Sequence, residues 1–142
     1  MGVVWRNSDL NTLRTELRAQ SRFAIDASEQ VMEQTMDEAV ELQRTLLDRA
    51  TTRTGEERLG RGRGNTAGRN DTGQMIGSIS SDVETTRNRV TGRWGWPFTA
   101  EDYYRFQDFG TGKIPAAHSL LDSFVAMREV WIRRMKRIAT GR

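Results

Sequence analysis

The residues most capable of chemistry lie in one stretch, YYRFQDFGTGKIPAAH, at positions 103–118. Within it, Gly110-Thr111-Gly112-Lys113 invites comparison with a phosphate-binding loop, whose backbone amides hold phosphates. The comparison fails because Gln107 occupies the position of the first required glycine and Ile114 replaces the hydroxyl residue that would hold magnesium. We therefore do not predict nucleotide binding at this stretch.

Other catalytic arrangements are also poorly supported. With no cysteine and a single histidine, the chain has no thiolate nucleophile, common zinc cage or histidine-based triad. Asp108 and Asp122 lack a nucleophile or convergent histidine to join them, so we expect them to be solvated or to cap a helix. His118 is expected to make local hydrogen bonds, and the GRGNTA segment at 62–67 lacks the flanking strand and helix of a dinucleotide site. We predict no enzyme, no cofactor and no metal.

The composition indicates one extended domain. The chain has 142 residues, 36% of them apolar and 29% charged, with a mean hydropathy of −0.69. This length fits a single compact domain, and the low hydropathy indicates that much of the surface faces water or a partner. No apolar run approaches the roughly 20 residues of a membrane helix, and no secretory signal is recognisable. We predict one domain, 1–142, that is soluble, made inside the cell and contacts no membrane.

The N-terminal part, 1–50, is predicted to be a short strand followed by one long helix. Val3-Val4-Trp5 is β-like, and Asn7, Ser8 and Asp9 offer N-cap side chains. Apolar residues then recur at three-, four- and seven-residue steps with one polar member: Leu10, Leu13, Leu17, Ala24, Ala27, Val31, Thr35, Leu42 and Leu46. An unbroken helix of this length would measure about 60 Å, more than the core of one small domain can cover.

A second row on the same helix is acidic. It consists of Asp26, Glu29, Glu33, Asp37 and Glu41, with no basic residue between its ends. Like charges at this spacing repel one another. The row is either a solvated face or a docking stripe for a basic partner.

Residues 51–70 combine five glycines with five arginines and predict a long flexible loop. Arginine-rich segments bind nucleic-acid backbones by neutralising phosphates. The candidate contacts to DNA or to an acidic protein surface are Arg58, Arg61, Arg63 and Arg69. Because no aromatic residue is interleaved for base stacking, a solvated loop is the alternative.

Residues 71–142 are predicted to form a β-hairpin and two helices. Residues 75–84 are the first strand, Arg87-Asn88 the turn and 89–96 the return strand. Thr99 and Asp102 resemble an N-cap pair that opens a short helix.

A second amphipathic helix is predicted over residues 116–139. Its apolar face comprises Leu120, Phe124, Met127, Trp131, Met135 and Ile138. Basic residues occupy its other faces near the C-terminus, where the helix dipole favours them: Arg133, Arg134, Lys136 and Arg137.

Two ordered motifs carry a family resemblance. DTGQMIGSI at 71–79, a hairpin, YYRFQDFGTGKIP at 103–115 and a terminal helix together resemble the tail-completion or head–tail joining proteins of long-tailed DNA phages, similar to the minor tail protein Z of lambda-type phages. Met75 stands where that family has leucine, and AAHSL at 116–120 replaces its proline-phenylalanine-leucine. The motif positions are Asp71, Thr72, Gly73, Ser78, Tyr103, Phe106, Phe109, Gly110, Thr111 and Gly112.

The resemblance implies a virion protein of the phage neck, present in the host cytoplasm during assembly. Such a protein forms a ring with itself, commonly a hexamer, between the head connector and the top of the tail tube. It would contact the tail terminator or tail tube protein and the head–tail stopper or adaptor, and would let genomic DNA pass through its lumen. No reaction would be catalysed.

Residues 103–115 are predicted to have a structural role and to connect the hairpin to the C-terminal helix. Tyr103, Phe106 and Phe109 are spaced to pack one face of a short helix under the sheet, Gly110 and Gly112 allow a positive φ at the helix exit, and Pro115 sets the next turn. We therefore predict an α+β fold with a long N-terminal helix, a small β-sheet built from a central hairpin and the N-terminal strand, a short aromatic helix and a C-terminal amphipathic helix.

The charge pattern predicts how copies meet. An acidic row and a basic C-terminal helix on one protomer favour head-to-tail contacts, because heterologous interfaces need two complementary surfaces. Two other functions stay open. One is a different neck ring, such as the tail terminator, and the other is a small nucleic-acid-binding regulator that uses the 51–70 loop and the basic tail.

Overall fold

The computed structural model describes residues 7–49, 73–97, 102–111 and 116–141. Along the chain these form α1 (Asn7–Arg49), α2 (Gln74–Gly77), β1 (Ser80–Thr86), β2 (Arg89–Gly95), α3 (Asp102–Phe109) and α4 (Ser119–Thr140). The predicted mixture of a long N-terminal helix, a hairpin, a short helix and a C-terminal helix is confirmed. The predicted N-terminal strand and the 51–70 loop lie outside the described residues.

α1 is one continuous helix of 43 residues and spans about 64 Å. It contains no glycine or proline, so nothing in its backbone chemistry interrupts the hydrogen-bond ladder. The buried face of α1 does not coincide with the predicted apolar row. Leu42 and Leu46, which belong to that row, are only half-buried. The most buried side chains recur at helical spacing in the second half of α1: Met32, Thr35, Met36, Ala39, Val40, Gln43 and Leu47.

The sheet is a two-stranded antiparallel hairpin that lies against α1. Its register pairs Thr86 with Arg89 beside the turn and Ser80 with Gly95 at the open end. The predicted turn at residues 87–88 is confirmed. Val83 pairs with Gly92, so the hairpin turns a half-buried face toward the helix.

The prediction that residues 75–77 belong to the first strand is wrong, because they form the short helix α2. Gly73 opens this helix with a φ of 75°, a conformation that costs glycine little. The helical spacing brings Met75 and Ile79 into the same core, where each is almost fully buried. The indole Nε1 of Trp96 then donates a 2.9 Å hydrogen bond to the Met75 carbonyl and fixes α2 to the end of the hairpin.

The main core lies where the C-terminal part of α1 meets α2, the open end of the hairpin and α3. It consists of Val40, Leu47, Met75, Ile79 and Tyr104, with half-buried Ile76, Trp94, Trp96 and Ala117 around it. A polar contact reinforces it, because Arg44 donates a 2.8 Å hydrogen bond to the Ile79 carbonyl.

A second apolar group joins the middle of α1 to β2 and α4. Met32 and Met36 on α1 pack beside Gly92 of β2, with Met127 of α4 lining the same space. The glycine is needed for close approach, because a Cβ at position 92 would lie 2.5 Å from the Met32 sulfur.

α3 packs through a different face from the one predicted. Phe106 and Phe109 are 53% and 63% exposed, whereas Tyr104, Gln107 and Asp108 are buried. The prediction that the two phenylalanines pack under the sheet is therefore wrong. The physical reason is that Asp108 accepts hydrogen bonds from Ser119 at the start of the next helix. This contact turns the polar face of α3 inward.

Asp108 caps the start of α4. Its carboxylate accepts hydrogen bonds from the backbone amide of Ser119 at 2.7 Å, from the Ser119 hydroxyl and from the amide of Leu120 at 3.2 Å. These are donors that a helix start leaves unsatisfied. The capping alternative for Asp108 is confirmed and the solvated one is not.

The link between α3 and α4 also sets where α4 begins. Gly110 has a φ of 79°, as predicted for the helix exit, whereas Gly112 and Pro115 lie outside the described residues. His118 has a φ of 54° and its amide donates to the Asp108 carbonyl at 2.9 Å. This left-handed residue interrupts the helix, so α4 begins at Ser119 rather than at the predicted residue 116.

Candidate interaction surfaces

The first candidate surface is the N-terminal third of α1, residues 10–24, here called the arm. Every one of its side chains is exposed. Leu10, Leu13, Leu17 and Ala24 share one helix face, and the three leucines are 40% to 55% exposed. Apolar residues in such a row normally pack against another element. Within the described residues, the arm has no such partner.

The second candidate surface is an apolar groove between the end of β2 and the start of α4. It encloses about 420 Å³ and is lined by Arg93, Trp94, Phe109, Leu120, Leu121 and Phe124. Phe124 stacks on Trp94 with ring centroids 5.8 Å apart, yet half of its surface still faces solvent. Phe109 and Leu121 are more than half exposed. A contiguous apolar patch of this kind usually marks a binding surface.

The arm and the groove lie far apart on one protomer. Trp94 and Phe124, which line the groove, also line a neighbouring cleft together with Met36 of α1. Leu17 is nineteen residues before Met36 on the same unbroken helix, which corresponds to about 28 Å. The arm of one protomer therefore cannot enter its own groove.

The acidic row lies mostly on the exposed surface of α1, although Asp26 also lines a cleft beside the hairpin turn. Asp26, Glu33, Asp37 and Glu41 are exposed and Glu29 is half-buried. Glu41 forms a 2.7 Å ion pair with Arg44 one turn along the helix. The other carboxylates of the row are placed where a partner could reach them, so the docking hypothesis stays a prediction.

One of the predicted basic contacts has a partner inside the protomer. Arg134 donates to both carboxylate oxygens of Glu38, at 2.8 and 2.9 Å, and to the Thr35 hydroxyl at 3.0 Å. The Arg134 hydrogen bond is the main reason why the pKa of Glu38 lies below its ordinary value. Arg134 thus clamps α4 to α1 and is not free for a neighbouring copy, whereas Arg133, Lys136 and Arg137 lie at exposed positions.

Several of the predicted site residues fall between the described ranges. Arg58, Arg61, Arg63, Arg69, Asp71, Thr72 and Gly112 lie outside the described residues, as does the side chain of Tyr103. Of the remaining motif residues, Ser78 donates a 2.9 Å hydrogen bond to the Met75 carbonyl at the end of α2, and Thr111 follows α3 at an exposed position.

A third surface was missed by sequence reasoning. A cleft of about 780 Å³ lies between α1 and the hairpin turn, and it is lined by Arg18, Ser21, Arg22, Ile25, Asp26, Thr85, Thr86 and Arg87. The only part of this cleft that the sequence indicates is the four-residue spacing of Arg18 and Arg22, which places them on one face of α1. The approach of the hairpin turn, which adds Arg87, is a contact between distant parts of the chain.

No cluster of three or more histidine, aspartate or glutamate side chains within the described ranges could hold a metal ion. Likewise, none of the described helices is long and apolar enough to cross a membrane.

Comparison with known proteins finds no matching family model, no similar curated protein and no similar solved structure.

Proposed function

We propose that this chain is a structural virion protein of a long-tailed DNA phage, acting in tail completion or head–tail connection. In this proposal, copies of the chain form a ring in the neck that joins the head connector to the tail tube and lets DNA pass. The order of the DTGQMIGSI and YYRFQDFGTGKIP motifs around a hairpin supports this function. The function is assembly, and it requires no catalytic residue.

The observation that carries the proposal is the pair of apolar surfaces on one protomer that have no partner among the described residues. One is a ridge, formed by Leu10, Leu13 and Leu17 of the arm. The other is the groove around Phe109 and Phe124. A ridge and a groove at different places on one molecule suit a heterologous contact, in which each copy inserts its arm into the next.

Contacts of this kind generate a ring when the rotation between copies closes, and a filament when it does not. The length of α1 supports such an arrangement, because in this helix of about 64 Å Leu10, Leu13 and Leu17 precede Arg18, the first residue of α1 that lines the cleft with the hairpin turn. Burial of the exposed leucines and phenylalanines would supply the association energy, at about 25 cal/mol for each Å² of apolar surface removed from water.

The proposal is tested with purified tail tubes that lack this protein. The chain is added to the tubes and their ends are examined by electron microscopy. We expect a ring-shaped density at one tube end with the wild-type chain, and its loss with Phe109→Glu in the groove or Leu17→Glu on the arm. Ala126→Glu is the control, since it adds the same charge at an exposed α4 position that lines neither surface.

The outcomes separate the neck function from its rivals. Wild-type protein that stays monomeric and leaves tube ends bare contradicts the proposal. If it also binds DNA in that state, a nucleic-acid-binding regulator becomes the better interpretation. Equal occupancy of tube ends by the wild type, Phe109→Glu and Leu17→Glu would preserve a neck location but remove the arm-and-groove contact.

A further inference from the structure

We infer that the cleft between α1 and the hairpin turn, here called the arginine cleft, binds phosphate groups of a duplex DNA backbone. It contains Arg18 and Arg22 of α1 and Arg87 of the turn. This inference does not depend on ring formation, because both walls of the cleft belong to one protomer.

The arginine cleft carries a net positive charge. Three arginines line it against one carboxylate, that of Asp26. Within the described part of the chain, no ion pair or hydrogen bond engages the guanidinium of Arg18, Arg22 or Arg87. By contrast, Arg44 and Arg134 are held by Glu41 and Glu38. A concave surface lined by one sign of charge concentrates its field and attracts the opposite charge.

The geometry suits phosphate oxygens. Arg18 and Arg22 lie one turn apart on α1, with a rise of about 6 Å between them, and Arg87 reaches the cleft from the opposite wall. The hydroxyls of Ser21 and Thr85 add further donors around the same space, whereas the Thr86 hydroxyl donates to the Arg89 carbonyl at 3.2 Å. Arginine and hydroxyl side chains are the groups that most often contact DNA phosphates, and they do so without reading sequence.

The lining favours duplex over single-stranded DNA. Sites for single strands combine positive charge with aromatic side chains on which bases stack. None of the eight residues that line the arginine cleft is aromatic. Phe23, which is 72% exposed, borders an adjoining surface with Arg18 and Arg22 instead. Backbone contact alone is therefore the recognition that the cleft can supply.

The test uses the full-length chain and a fluorescently labelled duplex of mixed sequence, with binding followed by anisotropy over a series of salt concentrations. The cleft variant carries Arg18→Gln, Arg22→Gln and Arg87→Gln. The control carries Arg105→Gln and Arg128→Gln, which removes positive charge from exposed positions outside both the arginine cleft and the basic C-terminal tail. The 51–70 loop is intact in both proteins, so its contribution cancels.

We expect the slope of log K against log salt to become shallower by about 0.9 for each arginine that neutralises a phosphate, and to stay unchanged in the control. Equal slopes for the cleft and control variants, or no binding of the duplex by wild-type protein, would overturn the inference. So would tighter binding of a single strand of equal length.

A competition experiment distinguishes backbone phosphate from the free ion. Sodium phosphate and sodium chloride are compared at equal ionic strength. We expect inorganic phosphate to displace the duplex no better than chloride does. Displacement by phosphate well beyond that of chloride would show a site for the isolated ion and contradict backbone binding. Light scattering of both variants reports the assembly state separately, so failure of the ring proposal is not mistaken for failure of this one.

Discussion

The two parts of α1 have the same secondary structure but different surroundings. Side chains 10–24 are all exposed, whereas from Met32 to Leu47 one face of the helix is buried against the hairpin and α4. Leucine occurs in both parts at helical spacing. Helical spacing of apolar residues therefore does not by itself fix which side chains are buried. The tertiary contacts decide this, both in the arm and in the packed part, where the buried face is offset from the predicted row.

The difference has a consequence for stability. Most of the stability of helices in proteins comes from packing of an apolar face rather than from intrinsic propensity. The packed part of α1 has this support from Met36, Val40 and Leu47. The arm, whose Leu10, Leu13 and Leu17 are exposed, relies on propensity and on continuity with the packed part.

The largest expected difference compares leucines from the two parts of α1. Leu47→Ala removes a fully buried side chain of the main core and should lower the free energy of unfolding by about 2–5 kcal/mol. Leu17→Ala, at a position 55% exposed, should change it by less than about 0.5 kcal/mol. Urea denaturation of dilute protein measures both. Equal losses would show that the arm is packed within the protomer.

The same contrast between buried and exposed positions is expected for aspartates at the start of α4. Asp108→Asn weakens a buried cap that accepts three hydrogen bonds, and we expect a loss of about 1–3 kcal/mol. Asp122→Asn, exposed in the first turn, should cost about 0.3–1 kcal/mol through the helix dipole alone. If thermal denaturation finds the two variants equally stable, the Asp108 cap does not fix α4.

Two glycines should respond to alanine with opposite signs. At Gly92 an added Cβ would approach the sulfurs of Met32 and Met36 to 2.5 and 2.7 Å, so Gly92→Ala should destabilise by about 1 kcal/mol as the methionines move. At Gly77 nothing lies within 4 Å of a Cβ, so Gly77→Ala in α2 should stabilise by up to about 0.5 kcal/mol. A stabilising Gly92→Ala would contradict the close approach of β2 to α1.

The smallest expected effect concerns pH and the clamp between α1 and α4. The pKa of Glu38 is lowered below 4.5 by the hydrogen bond from Arg134, so its stabilising contribution is present above the unfolded-state pKa and disappears as pH falls through the lower, folded value. Because Glu38 is 41% exposed, we expect no more than about 1 kcal/mol.

This effect is measured by comparing the unfolding free energies of wild type and Glu38→Gln from neutral to acidic pH. The wild type should be more stable near neutrality, and the difference should shrink as pH falls below 4.5. A difference that is constant with pH would mean that the ion pair does not contribute through its charge.

The sequence was sufficient for features that depend on local patterns. Helical periodicity located α1 and α4, and alternation with a turn at residues 87–88 located the hairpin. The sequence did not predict features that depend on contacts between residues far apart in the chain. Residues 75–77 are helical because Met75 and Ile79 enter one core, and the buried face of α3 is set by the contact of Asp108 with Ser119.

The candidate surfaces divide in the same way. The exposed face of the arm and the acidic row follow from helical spacing alone. The apolar groove and the arginine cleft do not, because each joins residues from separate elements. Phe109 meets Leu121 and Phe124 only through the link between α3 and α4, and Arg87 meets Arg18 only when the hairpin lies along α1.

Hydrogen–deuterium exchange of dilute and assembled protein tests most directly whether the arm and the groove are the contact between copies. In dilute protein we predict rapid exchange in residues 10–24 and slow exchange in the packed part of α1. On assembly, the arm and the groove residues around Phe109, Leu121 and Phe124 should become protected together. Assembly that leaves the arm exchanging as fast as in the dilute protein would contradict the account.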